Sequence, residues 1–156
     1  EQKRLSNMKW TGGIEAQNQF SDGYPLLVAS EGSLAELNAR LAAQGHAPVG
    51  IERFRPNIVL AGIEAHDEDR VEMLHVGAGE TEAQLQPVKP CTRCPIPDID
   101  PATAESSAEV GNALRTYRQD ARVDGAITFG MNCIVREGVE QWLKVGQPVA
   151  ANYRFD

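Results

Sequence analysis

The sequence predicts a mainly β domain of the α+β class, a closed or partly closed β-barrel decorated by a few helices. Three observations predict it. Short apolar runs recur along the chain and are separated by Gly, Pro and Asp turn signals. Only two segments carry a helical period together with a helix-start signal. Strands and helices do not alternate regularly, which argues against a sheet built from βαβ units. The 156 residues suffice for one domain with its own core.

The elements follow in order. Residues 1–20 are polar and show neither a period of 2 nor one of 3.6, so they are expected as a flexible or partly ordered arm before a domain over 21–156. The apolar run Leu26 to Ala29 follows a turn-like stretch and predicts a buried strand. Ser33 and Glu36 form a capping box, Leu34, Leu37 and Leu41 recur at helical spacing, and Gly45 suits the left-handed position after a helix. A helix over 34–44 is expected. Ile58 to Ala61 predicts a second strand, and the acidic stretch 64–72 a solvated loop. Strands are expected at 73–76 and 83–88, followed by a proline-rich loop. Ser106 and Glu109 make another capping box for a helix over 108–118, which Gly111 weakens by about 1 kcal/mol. The C-terminal third reads as strands at 126–135, 139–145 and 149–155.

Composition excludes several classes. Fifteen basic and 22 acidic residues leave a net charge of -7, so general attraction to nucleic acid is not expected. No apolar run approaches the roughly 20 residues of a membrane span. Three cysteines cannot staple the chain, and their scarcity suggests a reducing, cytoplasmic setting.

The 22 acids avoid one window. Residues 83–97 contain none, and within them lie Lys89, Cys91, Arg93 and Cys94. Five of the nine prolines are Pro87, Pro90, Pro95, Pro97 and Pro101, which stiffen the surrounding backbone. The result is a rigid, locally positive loop with two thiols, and nearby cations favour the thiolate. Four chemistries compete for Cys91 and Cys94. As a buried pair they would be inert, a role that suits Cys133 in its apolar run better. As half a zinc site they lack two ligands, because His46, His66 and His75 are isolated. As a dithiol redox pair they would open a helix after a strand, and Pro95 and Pro97 oppose that. As a source of one thiolate for a soft metal they need only Cys94 or Cys91. A phosphate on such a cofactor would suit arginine's planar fork. A second basic cluster, Arg53-Phe54-Arg55-Pro56-Asn57, supplies two arginines that share a face if the chain is extended, as Pro56 favours for Arg55.

Together, Arg53-Phe54-Arg55-Pro56-Asn57-Ile58-Val59, Lys89-Pro90-Cys91-Thr92-Arg93-Cys94, Asp100-Pro101-Ala102-Thr103, Phe129-Gly130-Met131-Asn132 and Val145-Gly146-Gln147-Pro148-Val149 resemble the MOSC domain, the C-terminal domain of molybdenum cofactor sulfurases. The nearest branch resembles the amidoxime-reducing components and their bacterial relatives. The resemblance runs from about Asp22 to Val149. It implies a β-barrel that binds the molybdenum cofactor, with Cys94 as catalytic residue and metal ligand. It implies Arg55, Asn57, Thr92, Arg93 and Asn132 as cofactor contacts, and Cys91 as a neighbour that does not ligate. It implies reduction of N-hydroxylated or N-oxide-type small molecules with electrons from a redox partner protein. The reductase branch carries a preceding N-terminal barrel; no such region is expected before Asp22, so either a fragment or a short member with a more open site is expected. The resemblance to sulfurases also implies a second role, a module that carries sulfur or delivers the cofactor. Their pyridoxal phosphate belongs to another domain, and this chain shows no lysine pocket for it. A structural zinc or thiol domain is the third expectation.

Overall fold

Local chain chemistry sets most of the element boundaries. The computed structural model describes residues 4–18 and 23–154. In chain order the elements are β1 (Arg4–Leu5), α1 (Met8–Thr11), β2 (Gln17–Asn18), β3 (Leu26–Ser30), α2 (Glu31–Ala43), β4 (Ile58–Leu60), β5 (Val71–Val76), β6 (Ala83–Thr92), α3 (Glu109–Arg115), β7 (Gln119–Asp120), β8 (Ala126–Glu137) and β9 (Val149–Tyr153). Five short 3-10 turns complete them. The class is as expected, mainly β with three helices.

The described residues separate into two compact units. The first holds residues 4–18, 23–26, 69–89 and 132–154, and the second residues 27–68 and 90–131.

In the first unit the strand order is β8-β6-β5-β9. β5 and β6 pair antiparallel, Leu74 opposite Leu85 and Val76 opposite Ala83. β9 lies antiparallel on the other side of β5, with a bulge between Val71 and Met73. Val71, Leu74, Val76, Ala83, Leu85, Cys133 and Ile134 are among the buried side chains of this unit. Residues 4–18, expected as an arm, carry structure. β1 and β2 pair antiparallel, and between them Asn7 caps α1 by accepting from the Lys9 N–H at 3.0 Å. Elements of two and four residues are too short to show a period, which is why the sequence hides them. The strand expected at 139–145 is absent. That stretch is an irregular connection in which Val139, Trp142 and Val145 are strongly exposed. Its apolar residues suggest a strand, yet no partner strand covers them among the described residues.

In the second unit the order is β4-β3-β8, with β7 against β8. β3 and β4 are parallel, Val28 opposite Ile58 and Ser30 opposite Leu60, with α2 as their crossover. This is one βαβ unit whose strand, helix and strand the sequence marks singly, while their parallel pairing was not expected because the other elements do not alternate. α2 begins three residues earlier than the capping box implies. Ser30 is its N-cap and accepts from the Ser33 N–H at 3.0 Å. Ser33 is freed for another use. Its hydroxyl donates to Glu68 Oε1 at 2.6 Å, and Ser30 Oγ donates to Glu68 Oε2 at 3.0 Å. Glu68 is therefore buried, 1% exposed, inside the stretch expected as a solvated acidic loop. Hydroxyl donors make burial of that carboxylate tolerable.

The helix expected over 108–118 is shorter, Glu109–Arg115, and Ala108 gives it no side-chain cap. Asp98 takes that role by accepting from the Gly111 N–H at 2.7 Å. A Cβ on Gly111 would lie 2.8 Å from Asp98 Oδ2, so the glycine admits the carboxylate. The core of this unit is Ala29, Leu37, Leu41, Phe54, Val110, Ala113, Leu114 and Phe129. Phe54 and Phe129 stack with ring centroids 3.9 Å apart.

Candidate functional site

The loop with the two thiols starts as a strand. β6 continues to Thr92, so Pro87 and Pro90 lie in a strand and the expected loop begins only at Arg93. Pairing to β5 uses Ala83, Gln84 and Leu85, so neither proline has to donate there. Past the strand, Arg93 N–H still donates to Ile127 O at 2.9 Å. The extended backbone then sorts side chains by parity. Cys91 and Arg93 are half-buried, whereas Thr92 and Cys94 are exposed. The two thiols of the C-x-x-C thus sit in different surroundings, one half-buried and one exposed. All three cysteines are free of disulfides.

Arg93 turns to the inner side. One of its terminal nitrogens donates to Cys91 Sγ at 2.9 Å, and the other to Phe54 O at 2.8 Å. Its guanidinium also stands 5.4 Å from the Phe54 ring centroid. Its Nε is buried without a hydrogen-bond partner among the described residues. One arginine thus joins the K-P-C-T-R-C loop to the R-F-R-P-N segment.

That segment is not extended, contrary to expectation. Ile51–Phe54 is a 3-10 turn, closed by the Arg55 N–H donating to Glu52 O at 3.1 Å. Arg55 itself is left-handed, with φ 56° and ψ 45°. Pro56 disfavours the ordinary right-handed helical conformation for its predecessor, and here the closed turn selects the left-handed alternative instead of an extended one. Arg53 and Arg55 part company as a result. Arg53 donates to Pro97 O at 3.3 Å and to Asp100 Oδ2 at 3.1 Å, and so clamps the turn to the loop after Cys94. Asp100 is held below its ordinary value, first by the Ala102 N–H it accepts and further by Arg53. Arg55 is exposed and has no ion pair among the described residues.

Asn57 is already half committed. Its Oδ1 accepts from the Leu27 N–H at 2.7 Å, and its own N–H donates to Leu27 O at 2.9 Å. This double link brackets the start of β3 and β4. Gly130 of F-G-x-N has φ 75°, and a Cβ there would sit 2.6 Å from Val28 O. The close approach of β8 to β3 requires the glycine. A polar recess of about 510 Å³ is lined by Arg53, Asp100, Glu105, Ser106, Ser107 and Glu109, without Cys94 or Arg55.

Two expected residues belong to the first unit. Asn132 lies half-buried on β8, and its amide makes no hydrogen bond among the described residues. Lys89 places its ammonium 5.7 Å from the Trp10 ring centroid and 6.0 Å from that of Tyr24. Both rings lie within about 6 Å, the outer range of a cation–π contact.

The second unit therefore brings together Cys94, Thr92, Arg93 and the Arg55 turn, while Asn57 stands at the strand start beside that turn. The donor chemistry fits an anionic cofactor carrying a soft metal. Cys94 offers one exposed sulfur, Arg55 an exposed guanidinium, Thr92 an exposed hydroxyl, and Arg93 an unsatisfied buried N–H. Among the described residues no three His, Cys, Asp or Glu side chains are gathered to hold a metal ion. A group that brings its own ligands needs only one thiolate from the chain, whereas a zinc site would need more. Sequence reasoning missed the Phe54 and Ile127 carbonyls, because backbone acceptors leave no residue-type signal. It also missed the Arg93–Cys91 contact, although the i, i+2 spacing in an extended run could have indicated it.

These features find their counterpart in known proteins. The MOSC domain family model matches residues 15–150, and the chain belongs to that family. It is 38% identical over 104 residues to mitochondrial amidoxime-reducing component 1 of Homo sapiens, covering 66% of this chain and 28% of that protein. It is 34% identical over 139 residues to mitochondrial amidoxime reducing component 2 of Bos taurus, covering 85% of this chain and 38% of that one. It is 30% identical over 146 residues to the molybdenum cofactor sulfurase of Arabidopsis thaliana, covering 87% and 17%. The chain thus spans well under half the length of these relatives.

Proposed function

We propose that this chain is the molybdenum-cofactor-binding domain of an oxidoreductase that reduces N-hydroxylated or N-oxide-type small molecules. The observation that carries the proposal is the exposed Cys94 thiol on a loop that Arg93 ties to the Arg55 turn. Cys94 is the metal's protein ligand. Arg55, held ready in a left-handed turn, pairs with the cofactor phosphate. Thr92 shares the exposed face of Cys94 and donates its hydroxyl. Arg93 supports the loop from beneath and offers its buried Nε–H. The Nδ2 amide of Asn57 is a further donor, and the resemblance adds the Asn132 amide. The bound group would supply two-electron oxygen-atom chemistry, so that R–NHOH with two electrons and two protons gives R–NH2 and water. The electrons come from a partner protein, and further domains of a longer polypeptide complete the site. A reducing compartment keeps Cys94 a thiol.

The test is reduction of an aryl amidoxime by cofactor-loaded protein with a chemical electron donor. Arg55→Ala should weaken cofactor affinity by roughly tenfold to a hundredfold, the worth of one or two charge-assisted hydrogen bonds. Unchanged affinity in Arg55→Ala would remove it from the site.

A second proposal is favoured by the match to the plant sulfurase, which covers more of this chain than those to the two amidoxime-reducing components above. In it, exposed Cys94 carries sulfur or hands over the cofactor without reducing a substrate. Cyanide treatment separates the two. Release of thiocyanate with no amidoxime turnover selects the carrier.

A further inference from the structure

We propose that Cys91 is a positioning residue: through Arg93 its sulfur holds the Cys94 loop and the Arg55 turn in a fixed relation. The proposal rests on the functional reading above for what is positioned, and on geometry alone for the positioning. Arg93 is fixed by its N–H on Ile127 O at 2.9 Å, and by its fork on Cys91 Sγ at 2.9 Å and Phe54 O at 2.8 Å. Phe54 is an anchored partner, 1% exposed and stacked on Phe129. The residue after it is Arg55 in its closed turn, and the residue after Arg93 is Cys94. A single side chain therefore spans the two motifs.

The sulfur matters because this guanidinium has little to spare. With Nε already buried and unpartnered, loss of the Cys91 acceptor would orphan a second N–H. A buried donor without a partner is costly. The side chain relieves that cost by turning toward solvent, which also releases Phe54 O and slackens the Arg55 turn. Lysine cannot replace the strut, since one ammonium cannot reproduce a planar two-pronged fork.

The experiment is amide hydrogen exchange on the cofactor-free chain, read at the Arg93 and Arg55 amides. In Cys91→Val, which fills the volume but accepts no hydrogen bond, protection at both amides should fall together by about tenfold. In Cys91→Ser, which restores an acceptor, it should stay within about twofold of wild type. Arg93→Lys should lower both amides, and adding Cys91→Val to it should change nothing more, because the two side chains act as one unit. Unchanged protection at Arg55 in Cys91→Val overturns the proposal, as does an equal loss in Cys91→Ser or additive losses in the double variant. If Cys91→Val fails to fold, Cys91→Ala, which also lacks an acceptor, takes its place in the single and double variants and is read in the same way. Failure of the wild-type chain to take up cofactor, with this exchange pattern intact, would overturn the functional reading and leave the positioning standing.

Discussion

Cys94 and Cys133 carry the same thiol into opposite surroundings. Cys133 is fully buried, and burial drives its thiol well above the usual range. Cys94 is exposed. A thiol reagent at pH 8 should therefore modify Cys94 in the native chain and reach Cys133 only after denaturation. Modification of Cys133 in the native state would contradict the buried placement. Tyr117 makes a similar case for environment over residue type. Burial pushes its phenol up to about 12, and nearby Glu36 adds to this. The Arg40 guanidinium lies 3.8 Å from its ring centroid. The folded state thus holds the proton longer than the unfolded state does. Stability should fall as pH rises from about 10 toward 12, and Tyr117→Phe should remove that part of the loss. A pH-dependent denaturant series on both proteins measures it. At this scale the sequence marks the candidate residues, but not their conformations. Arg55 illustrates this: Pro56 is visible in the sequence, whereas the turn that makes Arg55 left-handed depends on the Glu52 carbonyl.

Elements were legible where their signal is periodic and opaque where a distant partner decides. α2 shows its Leu37 and Leu41 stripe in sequence, yet it starts at Ser30 because Ser33 is needed by Glu68, 35 residues away. The same holds for α3, whose cap is Asp98 and not the expected Ser106. Gly111 looks like a defect in that helix and is in fact a requirement. Gly111→Ala should destabilise the protein by about 1–3 kcal/mol, even though alanine is the better helix former by about 1 kcal/mol. The clash with Asp98 at 2.8 Å outweighs the propensity gain. A gain in stability on denaturation would show that Asp98 yields easily. Glu68 offers a second test. Glu68→Leu removes the acceptor of two buried serine hydroxyls and should cost about 2–4 kcal/mol. A near-neutral result would mean that those hydroxyls find other partners.

For the whole molecule, charge is the quantity the sequence reported most directly. The net charge of -7 coexists with an acid-free window that contains Cys94. Several carboxylates elsewhere are tied to structure. Glu82 is held down chiefly by its hydrogen bond to His75, and Asp120 chiefly by its hydrogen bond to Arg122. Each is depressed in the folded state, so its contribution is present above the ordinary carboxylate range and is lost as pH falls through the lower folded value. Denaturation midpoints should hold steady down to about pH 5 and decline below about pH 4. Glu82→Gln and Asp120→Asn together should flatten that decline. The division into two interleaved units was not legible, because β6 and β8 each run from one unit into the other and nothing in their composition marks the passage.

The reading of this chain as a molybdenum-cofactor domain depends most on one sulfur. Wild type, Cys94→Ser and Cys91→Ser should each be reconstituted with the molybdenum cofactor, freed of excess, and assayed for bound molybdenum by elemental analysis. Wild type and Cys91→Ser are expected to retain close to one molybdenum per chain, and Cys94→Ser to retain almost none. Equal retention by Cys94→Ser and wild type would contradict the assignment, and retention of zinc in place of molybdenum would replace it.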